Sequence, residues 1–172
     1  MKFRLPLRGK QLLITIHVLA VVCWLGGALV MLLLGSYMLK SSNGEQLYYT
    51  LANMHLVDMV MIRYTALAAF LTGLALSVWT NWGLFTYYWI VIKLVLTLSL
   101  IVFGIGWMGD WLSAVISMGD AERMHALSNP SFLSTSHALL GGAIANIAGL
   151  VFMTAISYFK PFGRIRKTAR KG

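Results

Sequence analysis

At 172 residues, with 59% hydrophobic and only 11% charged, the chain has less than half the charged fraction of an ordinary soluble domain. Its net charge of +9 does not point to nucleic acid, because ten of its 14 Lys and Arg lie at the two ends, outside long apolar runs. The single cysteine, Cys23, excludes an intrachain disulfide and a thiol-only metal site.

Span one is expected over about residues 11–39. Basic residues and an apolar run open the chain as they do a signal peptide. However, the run from about Leu12 to Leu39 is too long for one and no A-x-A site closes it, so it reads as a retained span. It carries His17, then Trp24 on almost the same helical face, then Gly26 and Gly27. A histidine in lipid is costly unless it is bonded or used. With an aromatic wall and two glycines beside it, the stretch reads in two ways. It is a docking place for a flat cofactor, or a satisfied histidine with glycines that let helices approach closely.

Residues 40–44 form a turn, and span two follows over about 51–79, with His55, Asp58 and Arg63 in its first half. At 3.6 residues per turn Asp58 and Arg63 fall about 140° apart, so each is expected to pair with another span or with the outer loop. A turn over residues 80–83 and an aromatic belt of Tyr87, Tyr88 and Trp89 lead into span three, about 88–109. That span holds Lys93 near its start and Gly104, Gly106 and Gly109 near its end. The longest loop, about 118–133, contains Asp120, Glu122, Arg123 and a solvated His125. Asn129-Pro130 closes it, and Ser131 or Ser134 is expected to cap span four, about 134–159, with His137, Gly141, Gly142 and Asn146. Four spans joined mostly by short turns make one transmembrane domain, an all-α integral membrane protein built as an antiparallel four-helix bundle.

Lys2, Arg4, Arg8 and Lys10 precede span one, and Lys160, Arg164, Arg166, Lys167, Arg170 and Lys171 follow span four. The outer loops hold only Lys40 and Arg123, so both termini are expected in the cytoplasm of a multi-pass cell-membrane protein. The basic tail can also touch anionic headgroups of the bilayer. With that orientation, His17 and Lys93 both sit ~8–10 Å inside the cytoplasmic face, while His55 and His137 lie a few residues in from the outer one. Each layer draws on two spans of the same direction, which are diagonal neighbours in an up-down bundle.

Two ligands on diagonal helices can hold a haem between them, with glycines making room. His55 and His137 offer bis-imidazole ligation at the outer layer, with Arg63 a partner for a propionate. His17 and Lys93 offer a less ordinary pair, since lysine must shed its proton to bind iron. The structural alternatives are interfacial histidines and a lysine that snorkels to the cytoplasmic face. Ten methionines, among them Met54, Met59, Met61 and Met124 near His55 and His125, suit Cu(I), but gap filling in a packed core is the favoured reading. No Ser-His-Asp elbow and no phosphate-cradling glycine loop is present, and no catalytic residue is assigned.

His17-x6-Trp24-x-Gly26-Gly27, Trp89-x3-Lys93 and Lys160-Pro161-Phe162 resemble motifs of a group of small four-span membrane proteins. The group includes the HemJ-type protoporphyrinogen oxidase of the haem pathway, the membrane part of copper-resistance D proteins, and many uncharacterised members. The resemblance covers most of the chain and associates haem with His17 and Lys93. The oxidase type has a basic and aromatic segment after the span-one motif, whereas this chain has an apolar stretch over residues 31–37. That places it nearer the uncharacterised members. The expected function is a membrane-embedded protein that binds one or two b-type haems and has an electron-transfer or redox role. If an enzyme, it is a haem-dependent membrane oxidoreductase. A quinone or a respiratory protein is the natural partner, and self-association is compatible with the pattern. The alternatives are a copper-handling protein with His and Met ligands and a cofactor-free accessory or assembly subunit.

Overall fold

The computed structural model describes residues 5–80, 82–161 and 163–165, and these are helical with no strand among them. Lys2, Arg4, Phe162, Arg166, Lys167, Arg170 and Lys171, expected to mark topology or a motif, lie outside the described residues. Span one is α1, Leu7–Met38. Span two is α2, Gly44–Val57, a π-helical segment over Asp58–Arg63, and α3, Tyr64–Trp79. Span three is α4, Tyr88–Phe103, a second π segment over Gly104–Met108, and α5, Gly109–Glu122, followed by a 3-10 helix over Arg123–Ser128. Span four is α6, Pro130–Phe159. Four helices, of 32, 36, 41 and 30 residues once the segments of a span are joined, are long and apolar enough to cross a membrane.

The ends follow capping chemistry, and two boundaries differ from those expected. Span two begins at Gly44 rather than near residue 51, because Asn43 caps it by accepting from Gln46 N at 2.8 Å while the Gln46 side chain reaches back to Ser42 N at 3.0 Å. Span four begins at Pro130 rather than near 134. Asn129 is itself the cap, accepting from Ser131 N at 2.9 Å, and proline suits the first helical position because its missing N–H would have no partner there. The Asn129 amide also donates to both Glu122 carboxylate oxygens, at 2.9 and 3.0 Å. Little of the expected outer loop is irregular, since α5 runs to Glu122, where Arg123 turns the chain with φ 51°.

Span one packs along span two on one side and span four on the other, and span three packs against the same two. Spans one and three make no extended contact, nor do two and four, so each pair is diagonal. Glycines set the closest approaches. A Cβ on Gly27 would stand 3.0 Å from Met61 Cβ, and one on Gly142 3.1 Å from Met108. Two cores result. Trp24, Ala20, Ala66, Ala69, Leu150 and Met153 form one. The other joins Met31, Met38, Leu47, Leu51, Met54, Leu112, Val115 and Phe132 at the end where α2 and α5 lie.

At the opposite end Leu5 and residues 164–165 meet the turn between spans two and three. Leu5 N donates to Trp79 O at 3.3 Å, Ile165 N to Thr86 O at 2.9 Å, and Arg164 Nε to Tyr87 Oη at 2.9 Å. Lys160 lies 4.9 Å over the Trp82 ring, and Trp82 packs edge-on against Tyr87 and Trp89. The aromatic belt expected here is thus braced by two basic residues of the C-terminal segment.

Candidate functional site at the inner layer

His17 points from span one to span two. Its Nδ1 lies 2.9 Å from Thr72 Oγ1. The Thr72 hydroxyl donates to Ala68 O at 2.6 Å. Gly73 makes this possible, because a Cβ there would stand 3.1 Å from His17 Cε1. The ring lies against bare backbone, with Nε2 the farthest of its three nearest atoms.

Lys93 reaches from span three to span four, where its Nζ donates to Ser157 Oγ. Ser157 in turn donates to Met153 O at 2.8 Å. One turn further on, Thr97 Oγ1 donates to Met153 Sδ at 3.2 Å. The two arms are alike. A hydroxyl on the neighbouring span holds each functional group and itself donates a hydrogen bond to a helix carbonyl. Thr72, Gly73 and Ser157 were not singled out in the sequence. The signal was available, since Thr72 and Ser157 are hydroxyls at the same height in spans two and four as His17 and Lys93 in their own.

Trp24 is 2% exposed and packed in the inner core, and its Nε1 has no hydrogen-bond partner among the described residues. Gly27 is taken up by the contact with Met61 and Ile62, whereas a Cβ on Gly26 would meet nothing within 4 Å. Of the two expected glycines, one serves helix packing and the other faces open space.

The outer histidines are not gathered in the bundle interior. Both are exposed, while the residues before them, Met54 and Ser136, are fully buried. His55 instead lines a groove of about 700 Å³ between α2 and α5, with Tyr48, Ala52, Ser113, Ser117 and Asp120. The same divergence separates the Met54 thioether from the His55 imidazole. Among the described residues no group of three or more His, Cys, Asp or Glu is placed to hold a metal.

Arg63 behaves differently from the helical-wheel expectation. Its Nε donates to Asp58 Oδ2 at 2.7 Å, five residues back on the same span. An α-helix would set the two side chains about 140° apart. The π winding of Asp58–Arg63 lowers the rotation per residue and brings i and i+5 onto one face, so the pair forms within the span and not with another.

No family model, curated protein or solved structure matches the chain.

Proposed function

We propose that the chain is a multi-pass protein of the cell membrane, an antiparallel four-helix bundle with both termini in the cytoplasm. It binds b-type haem between His17 and Lys93 and has an electron-transfer or redox role. The observation that carries this reading is the hydrogen bond between His17 Nδ1 and Thr72 Oγ1, which orients the imidazole.

Contact pairs support the directions of the spans. Along spans one and two they run from Leu5 with Trp79, through His17 with Thr72, to Gly27 with Met61. Along spans three and four they run from Lys93 with Ser157, through Leu100 with Gly149, to Met108 with Gly142. The excess of Lys and Arg at the termini supports a cytoplasmic location for both.

Three groups support a haem reading: the His17 imidazole held by Thr72, the Lys93 amine held by Ser157, and an unused Trp24 N–H on the face of span one that carries His17. Haem supplies one-electron chemistry at iron when it is bound. The chain's own residues do the positioning. Thr72 holds the imidazole, Gly73 leaves space for it, and Ser157 holds the amine until it gives up its proton. The second reading is a cofactor-free accessory subunit. It is favoured by the Lys93–Ser157 bond, which already satisfies the lysine.

An absorption spectrum of protein purified after haem-replete expression, oxidised and then reduced, decides between them. A Soret band with sharp reduced α and β bands is expected. Protein that stays colourless sinks the haem reading.

A further inference from the structure

The segment after span four turns back on the bundle. Lys160 caps α6 in the left-handed conformation, φ 45° and ψ 53°, and Pro161 prevents the helix from continuing. Gly163 is left-handed again, at φ 54°. Lysine adopts that region rarely, and residues held in it cluster at binding sites. The two reversals bring residues 164–165 onto the turn between spans two and three. Ile165 N donates to Thr86 O at 2.9 Å, Arg164 and Tyr87 form an isolated antiparallel bridge, and Arg164 Nε donates to Tyr87 Oη at 2.9 Å.

This return sets two cations over a floor of rings. Lys160 Nζ lies 4.9 Å from the centre of the Trp82 ring, and Arg164 Cζ lies 5.4 Å from that of Tyr87. The two rings are neighbours with centroids 5.8 Å apart, and Trp89 packs against both. Both cations are exposed. Among the described residues, neither Lys160 Nζ nor the Nη groups of Arg164 have a hydrogen-bond acceptor.

Side-chain charge at this end has one sign. The chain's five Asp and Glu are Glu45, Asp58, Asp110, Asp120 and Glu122. All lie in α2, α5 or the π segment of span two, towards the other end of the bundle. No carboxylate side chain therefore competes for Lys160 and Arg164, and their complement is an anion. The level is that of a membrane interface. α3 ends at Trp79, α4 begins at Tyr88 and α6 ends at Phe159, and all three rings are exposed. An anion that also covers apolar rings carries acyl chains.

We propose that Lys160 and Arg164, held over Trp82 and Tyr87, bind the phosphodiester of an anionic phospholipid. Arg164 offers a fork to phosphate oxygens and Lys160 a point charge beside it. This differs from the diffuse attraction of a basic tail to a charged leaflet, because two particular side chains are pinned in place by backbone bonds. It rests on the membrane reading and is independent of haem.

The test is native mass spectrometry of the detergent-solubilised full chain titrated with phosphatidylglycerol, with phosphatidylcholine as the neutral comparison. Saturable retention of phosphatidylglycerol, at least tenfold over phosphatidylcholine, is expected. Lys160→Gln and Arg164→Gln should each weaken it at least fivefold with helix content by circular dichroism unchanged. Lys167→Gln and Lys171→Gln remove the same charge from the tail and should leave it within twofold. Gly163→Val keeps both cations, and a Cβ there meets nothing within 4 Å, so it disturbs only the left-handed turn. It should weaken retention as much as the loss of either cation. Equal retention of the two lipids, equal loss in all four charge variants, or full retention by Gly163→Val overturns the proposal. Displacement by millimolar glycerol phosphate also overturns it, since that marks a site for free anions.

Discussion

The imidazole of His17 and the hydroxyl of Thr72 meet at 2.9 Å between spans one and two, 55 residues apart in sequence. Thr72 also donates a hydrogen bond to Ala68 O, so it ties the imidazole to the backbone of span two. Replacing Thr72 with Val keeps the shape of the side chain and removes the imidazole's partner. Partners of this kind are worth 10–100-fold in ligand affinity, so haem titration of the apo-protein should show a loss of about that size, with Thr72→Ser restoring most of it. An unchanged affinity would mean that His17 is not an iron ligand.

His17→Ala is expected to lose bound haem, or most of its low-spin character, while the protein still inserts in the membrane. Lys93→Ala should be milder, because water or another base can take the second axial position. Reduced-minus-oxidised spectra of the two variants check both. A wild-type spectrum in His17→Ala would refute the inner site.

The outer histidines give a contrasting expectation. His55 and His137 are exposed and turned away from the interior, in the direction opposite to Met54 and Ser136. Substituting either with Ala should leave the spectrum of the inner site as it was. If each instead removes one and the same spectral component, the two histidines jointly hold a second haem.

Gly27 and Gly26 make a matched pair for stability. A side chain on Gly27 would begin 3.0 Å from Met61 Cβ and 3.2 Å from Met61 O, so Gly27→Leu must push spans one and two apart. Overpacking of this kind costs about 1–3 kcal/mol. Gly26→Leu meets open space and should change little. Thermal unfolding in detergent reads the difference, and equal midpoints for the two variants would contradict the packing described.

Orientation is the simplest to check. A reporter fused after Gly172 should be active in the cytoplasm and silent outside. The opposite pattern would move His17 and Lys93 to the outer side of the membrane and undo the assignment of the layers.

Composition and run length by themselves determined the all-helical class and the four apolar helices. Hydrophobic run length and residue count along an α-helix depend on local geometry alone. The helix starts at Asn43 and Asn129 were also legible, since a cap needs only a side-chain oxygen and the next few N–H groups, although they were placed several residues late. Other features came from neighbours that local counting does not see. Only tertiary structure supplied the Thr72 and Ser157 partners, because hydroxyls are common in membrane helices and gain meaning when another span brings a ring or an amine to them. It also turned His55 and His137 outward, because at an interface the rotation of a helix is set by what packs beside it rather than by depth. The Asp58–Arg63 pair is the sharpest case. A helical wheel assumes 100° per residue, and the switch to π winding over Asp58–Arg63 changes that angle and brings together two side chains that the wheel kept apart.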